Sequence, residues 1–228
     1  MSVEDLAARV REMNAGRRRG TAAETAAANL RDLIMAGDFQ PGQRIAEEPL
    51  LEPMEVSRNT LREAFRLLAH EKLLEHRINH GVFVRTLTAD DVRDLFRVRF
   101  VIEVAALRGS TEPDWAAMAD AVADGRARAA NGDWRGVGTA NLRFHKAIVR
   151  AVGSGRLDEL MDQLSAELRL GFLAMGHPRA FHEKYVDRNH AIVKAISGGD
   201  VKGAVALLTT YLADAQREML AAFERRAG

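Results

Sequence analysis

Between residues 57 and 85 the hydrophobic pattern of this chain switches from helical spacing to alternation, and that switch restricts the fold more than any other feature. From Ser57, a residue suited to cap a helix N-terminus, Thr60, Leu61, Ala64, Phe65, Leu68 and Ala69 recur at helical spacing. After Leu74 the pattern alternates through His76 and Ile78 to Gly81, followed by Val82, Phe83 and Val84. This predicts a β-hairpin with Gly81 at its turn or in a bulge. Upstream, a helix from about residue 21 carries Ala26, Leu30, Leu33 and Ile34 on one side and stops at Gly37. The stretch FQPGQRI reads as a turn and a short extended piece, and a second helix covers residues 47–55. Two short helices joined tightly, with a hairpin immediately after, are the parts of a winged helix-turn-helix.

Such a unit suits DNA for geometric reasons. A helix fits the major groove, its first residues reach base edges, and its unpaired N–H groups hold phosphate. Here the first turns of the third helix gather Ser57, Arg58, Asn59, Thr60 and Arg62. Arginine pairs with guanine, and serine or threonine holds phosphate. The plainer alternative is a solvated helix face, with Arg62 among Arg66 and Glu63. Charge distribution bears on the choice. Residues 57–85 contain Arg58, Arg62, Arg66, Lys72, Arg77 and Arg85 against Glu63, Glu71 and Glu75, a local +3 in a chain whose net charge is +1.

From Thr88 the chain is helical throughout. Thr88 with Asp91 three residues later predicts a helix start, and Gly109 its end. Further helices are predicted over about 113–131, 133–152, 155–175, 180–197 and 200–226, separated by Pro113 and by NGD, GSG, GHP and GGD. Six helices with short loops imply antiparallel packing. The expected fold is therefore mainly α: a winged helix-turn-helix over residues 21–86 and an antiparallel six-helix bundle over 87–228. Residues 1–20 form a flexible or helical extension, with Val3, Leu6, Val10 and Met13 on one side, a capping box at Ser2 and Asp5, and the basic joint NAGRRRG.

With 47% apolar and 29% charged residues, the chain is globular. It has no cysteine, which excludes disulfides, thiolate metal sites and cysteine nucleophiles. No stretch approaches the roughly 18 apolar residues of a spanning helix. The start lacks a signal-peptide core, so a cytoplasmic protein without membrane contact is expected.

One residue of the bundle raises a separate question. His145 lies one turn after Asn141, with Ile148 and Val152 following on the same side. It could be a packed core histidine, a contact for a small molecule, a catalytic base, or a metal ligand. Arg99 either binds a carboxylate in bidentate fashion or pairs with Glu103 one turn on. His177 and His182, beside GHP, are expected on a surface loop.

The stretch NLRDLIMAGDFQPGQRIAEEPLLEPMEVSRNTLREAFRLLAHEKLLEHRINHGVFV resembles the GntR family of bacterial transcription regulators over residues 26–85. The resemblance implies that Ser57, Arg58 and Arg62 contact DNA from the recognition helix, and that His80 and Gly81 at the wing tip approach the minor groove. Three departures stand out: Glu55 replaces the usual glycine before VSR, Lys72 replaces a glycine before the wing, and Glu47 and Glu48 make the second helix acidic.

DLFRVRFVIEVAALR, NLRFHKAI and HAIVKAISGGDVKGAVALL are similar to the FCD ligand-sensing domain of the FadR-type branch, over residues 88–222. Such domains dimerise and enclose a small-molecule pocket, and many hold a divalent metal. The family's metal positions fall on Asn141, His145, Asn189 and Tyr211. A single histidine among two amides and a phenol makes a neutral, weak site. No metal or other cofactor is therefore expected; any ion would sit on His145 with Asn141. Without one, Arg99, Asn141, His145, Asn189 and Tyr211 become candidate effector contacts.

The sequence-based expectation is a non-enzymatic, homodimeric DNA-binding repressor of a pseudo-palindromic double-stranded operator, modulated by a small organic acid. The alternatives are a helical metal-dependent enzyme using His145, and a DNA-binding dimer that has lost its ligand.

Overall fold

The structure, a computed structural model, describes residues 8–11, 13, 20–109 and 115–227. The capping box expected at Ser2 and Asp5, most of the 1–20 extension, and Pro113 lie outside the described residues. The chain divides into two compact units, Met1–Thr86 and Leu87–Gly228. No described helix is long and apolar enough to cross a membrane.

In the first unit, helix α1 (Ala22–Ala36) opens with a full capping box. The Thr21 hydroxyl accepts from the Glu24 amide at 3.2 Å, and the Glu24 carboxylate accepts from the Thr21 amide at 2.7 Å. It closes on Gly37, whose φ of 83° only glycine adopts without strain. Helix α2 (Glu48–Met54) is short, and α3 (Arg58–His70) begins as expected at Ser57, whose hydroxyl accepts from the Thr60 amide at 3.1 Å. Leu30, Leu33 and Ile34 of α1 bury against α3, whose Leu61, Ala64, Phe65 and Leu68 are sealed from solvent. Each of these leucine, isoleucine and phenylalanine side chains contributes roughly 1.5–3 kcal/mol by burial.

The hairpin β2 (Leu74–Arg77) and β3 (Gly81–Val84) forms, but with two differences from the alternation in the sequence. First, Arg44–Ile45 adds a strand, β1, to give a three-stranded antiparallel sheet of order β1-β3-β2, with Ile45 opposite Val82. Secondly, Ile78 leaves the strand. The Arg77↔Gly81 pairing puts residues 78–80 in the turn, and Ile78 is 88% exposed. Val82 and Val84 alone face the core from β3.

Glu55 (φ 56°) and Lys72 (φ 58°) both occupy the left-handed region. The two positions where the sequence departs from a family glycine are therefore positions whose backbone still asks for one. Each costs roughly 1 kcal/mol or more relative to glycine.

The second unit contains α4 (Ala89–Gly109), α5 (Trp115–Ala130), α6 (Trp134–Arg150), α7 (Gly155–Ala174), α8 (Pro178–Ser197) and α9 (Val201–Ala227). Thr88 and Asp91 cap α4 reciprocally, with the Asp91 carboxylate 2.8 Å from the Thr88 amide. Helix α6 packs against α4, α5, α7 and α8 and is buried on nearly every side, from Val137 to Val149. Its solvent stripe is narrow and is taken by Arg135, Thr139, Arg143 and Arg150, off which Asn141 and His145 lie. Asn141 and His145 are thus inside by topology, whereas Val152, beyond the helix end at Arg150, is 45% exposed and leaves the expected stripe.

Candidate functional site

The first unit presents its polar surface at the start of α3 and at the hairpin tip. Ser57, Arg58, Asn59 and Arg62 are exposed and Thr60 is half-buried, so all five sit where the sequence placed them. The Ser57 hydroxyl is shared between its cap bond and Thr60 Oγ1, 2.8 Å away. The arginines do not stand free, nor does Arg62 use the local partners expected for it. Arg58 pairs with Glu48, and Arg62 Nε lies 3.0 Å from Glu47, while Arg66 takes Glu63 at 2.7 Å. The acidic second helix therefore covers the guanidinium groups of the recognition helix. These pairs are solvent-exposed, worth about 0–1 kcal/mol each, and readily exchanged for phosphate or a base edge.

At the wing, His80 is exposed, and its amide donates to Arg77 O at 2.9 Å to close the turn. Gly81 has φ 98°, and a Cβ there would meet Arg44 Nε at 3.4 Å. Arg44, on β1 beside the wing, is a basic residue that the sequence reading passed over. Its signal was weak, because a two-residue strand has no periodicity.

The second unit buries Arg99, Glu103, Asn141, His145, Asn189 and Tyr211 in two linked clusters. Arg99 Nε donates to Glu103 Oε1 at 2.7 Å, one turn on, and Glu103 Oε2 lies 2.6 Å from His145 Nδ1. All three side chains are essentially inaccessible. Burial pushes the Glu103 carboxyl up, but Arg99 and His145 outweigh it and hold the group below its ordinary value. Burial pushes His145 down, and the nearby carboxylate only partly offsets that. Glu103 is thus a carboxylate and His145 a neutral ring that donates from Nδ1. This leaves Nε2 as a buried lone pair without a partner, alongside an unpartnered Arg99 Nη2.

In the second cluster, Asn141 Oδ1 accepts from both Asn189 Nδ2 and Tyr211 Oη, each at 2.7 Å. Tyr211 is held in its protonated form by burial. Its ring lies edge-on to His145, centroids 4.9 Å apart, which joins the clusters. Asn189 Oδ1 has no partner. Beside it a cavity of about 10 Å³, lined by Asn141, His182 and Asn189 and closed by Val137 and Val186, has the room of a single water.

The structure corrects the loop assignment of His182. It lies in α8, is 2% exposed, and has an unpartnered Nδ1. Desolvation, then the charge of Arg169, push its pKa down to about 3. His177, just before α8, is exposed. The signal for His182 was present in the sequence, since His182, Tyr185, Asn189, Ile192 and Ile196 repeat at helical spacing. A Cβ on Gly138 would come within 2.7 Å of His182 Nε2, so glycine there makes room for the ring.

These residues do not fit a divalent ion. Asn141 Oδ1 is spent on two hydrogen bonds, the Tyr211 hydroxyl keeps its proton, and His145 retains one lone pair. No group of three or more histidine, cysteine, aspartate or glutamate side chains suited to a metal occurs among the described residues.

Comparison with known proteins agrees with this division. Residues 22–84 match the gntR family of bacterial regulatory proteins, and residues 94–214 match the FCD domain. The chain is 30% identical to the probable D-xylose utilization operon transcriptional repressor of Paenarthrobacter nicotinovorans, over 83% of this chain and 86% of that protein. It is 26% identical to the galactonate operon transcriptional repressor of Escherichia coli, over 82% and 91%. Three other curated relatives match over only 35%, 37% and 33% of their own lengths. A solved transcriptional regulator GntR from Rhodococcus sp. RHA1 superposes with a TM-score of 0.85 at 41% identity, covering 87% of this chain and 97% of that one.

Proposed function

This chain belongs to the gntR family of bacterial regulatory proteins and carries an FCD domain, so it is a DNA-binding transcription regulator and not an enzyme; we propose that it is a homodimeric repressor in the cytoplasm whose grip on a pseudo-palindromic operator is set by a small hydroxylated organic acid. The observation that carries the DNA-contact reading is the capped start of α3, where Arg58 and Arg62 are exposed beside Ser57 and Asn59. Arg58 and Arg62 leave their glutamates for the duplex, Ser57, Asn59 and Thr60 hold the backbone, and His80 and Gly81 approach the minor groove.

The effector chemistry follows from the unpartnered buried atoms. Arg99 Nη2 calls for an acceptor and His145 Nε2 for a donor, which one molecule bearing a carboxylate and a neighbouring hydroxyl supplies. Asn189 Oδ1 calls for a further hydroxyl, with Asn141 and Tyr211 fixing the wall behind it. The galactonate repressor among the relatives favours the same class. The cavity beside Asn189 has room for one water and does not reach Arg99 or His145, so a ligand that engages all of these atoms must favour a more open bundle, and that preference shifts the equilibrium of the regulator.

Two measurements test this reading. Fluorescence anisotropy of the full chain on DNA from its own upstream region should lose about 1–3 kcal/mol with Arg58→Ala, with relaxed preference at one base position. Unaltered footprints for both Arg58→Ala and Arg62→Ala would sink the DNA assignment. Thermal shift with D-galactonate, D-gluconate and D-xylose should favour the two acids, and His145→Gln should abolish the effect. A bundle that responds to neither acid would overturn the hydroxy-acid reading.

A further inference from the structure

The strip of α4 that faces away from the bundle carries an apolar centre and charged ends. Phe100 is 41% and Val101 63% exposed, in a helix whose other apolar residues are mostly buried. A groove of about 510 Å³ runs beside them, floored by Phe96 and Leu212 and edged by Ala213 and Leu220 of α9, with Arg93, Arg97 and Gln216 on its rim. On α9, Leu207 is 42% exposed, and Ala206, Leu207, Thr210 and Ala213 continue as one exposed strip.

The charges on α4 say what can cover this face. Asp94, Arg97, Val101, Ala105 and Arg108 are all exposed and follow one another in steps of three, four, four and three. That spacing keeps them on a single stripe, and it is symmetric about Val101. Two copies of α4 crossing antiparallel on a two-fold axis at Val101 therefore bring equidistant positions face to face. Val101 meets its own copy, Arg97 lies over the partner's Ala105, and Asp94 meets the partner's Arg108. A parallel crossing would instead set Asp94 against Asp94 and Arg108 against Arg108. Within the chain Asp94 has only a loose contact with Arg97, at 3.6 Å, and both side chains are about seven-tenths exposed.

We propose that this stripe, with Phe100 and the groove beside it, is the two-fold dimerisation surface and that its partner is a second copy of this chain, with Asp94 and Arg108 paired reciprocally across the axis. Such an interface is isologous, so each substitution acts twice. The inference rests on the dimeric reading given above and adds where the dimer forms.

The test is sedimentation of the full-length protein over a concentration series. The wild type should sediment as a dimer and Val101→Glu as a monomer. Asp94→Arg and Arg108→Asp should each weaken association by at least about 10-fold, because each sets like charges opposite one another. Asp94→Arg combined with Arg108→Asp should restore the dimer, an outcome that simple damage to the helix would not produce. If every variant is as dimeric as the wild type, or if the double reversal fails to rescue, this surface is wrong while the dimer stands. A wild type that is monomeric throughout would overturn the dimeric reading and this surface together.

Discussion

The two units place the same ion pair in opposite surroundings. Arg58–Glu48 and Arg62–Glu47 lie on the surface, with both arginine side chains 56% exposed, whereas Arg99–Glu103 is 2% and 0% exposed. In water the pair contributes little and is exchanged at little cost, which suits groups that must leave one anion for another. Inside the bundle Glu103 is also held by His145, water is excluded, and removing the carboxylate strands Arg99. One pair is a replaceable cover, the other a fixed part of the core.

The largest effect that would break this contrast lies inside. Glu103→Gln should destabilise the bundle by about 3–5 kcal/mol, because it leaves Arg99 buried without its carboxylate. The melt can be followed by tryptophan fluorescence, since Trp115 and Trp134 both belong to the second unit. A loss under 1 kcal/mol would mean that water reaches Arg99 and that the bundle is less dry than its burial implies.

A second test uses pH. His182 is held well below its ordinary value of 6.5, at about 3, so the folded bundle keeps it neutral while the unfolded chain takes a proton. Stability from this source is complete above about pH 6.5 and falls as pH drops toward 3, by about 2 kcal/mol at pH 5. His145 shifts in the same direction, and Glu103, held below 4.5, adds its loss only at more acid pH. The tryptophan melt should therefore fall between pH 7 and 5, and His182→Gln should flatten that slope. An equally steep slope in the variant would remove His182 from the account.

The smallest effect is on the surface. Glu48→Gln should raise affinity for any duplex by less than about 1 kcal/mol, more for non-specific than for operator DNA, and the difference should shrink with salt. A drop in affinity would mean that Glu48 helps to aim Arg58 instead of merely covering it.

How far the sequence reached follows the same division. Periodicity and caps revealed the helices because those signals are local: Thr21 with Glu24, Ser57 with Thr60, and Thr88 with Asp91 each act within one turn. The capped start of α3 was legible for that reason. Strand β1 was legible only as a short extended piece within FQPGQRI, and its place in a sheet comes from β3. Glu103 was visible as a neighbour of Arg99 but not as the partner of His145, a contact that α6 creates by packing against α4. Glu47 and Glu48 looked like a departure from a basic helix; only the fold places them over Arg62 and Arg58.

The water-sized cavity beside Asn189 has a consequence for timing. On the proposed reading the effector site is closed, and a closed site cannot fill at the rate of encounter. The observed rate of effector binding should rise with concentration and then level off at the rate at which the helices part, well short of the roughly 10⁵–10⁷ M⁻¹s⁻¹ of a preformed surface. Release would be gated by the same opening, so a bound effector would outlast brief falls in its supply. The tight core would then act as a short memory, and transcription would follow the average level of the metabolite and not its momentary one.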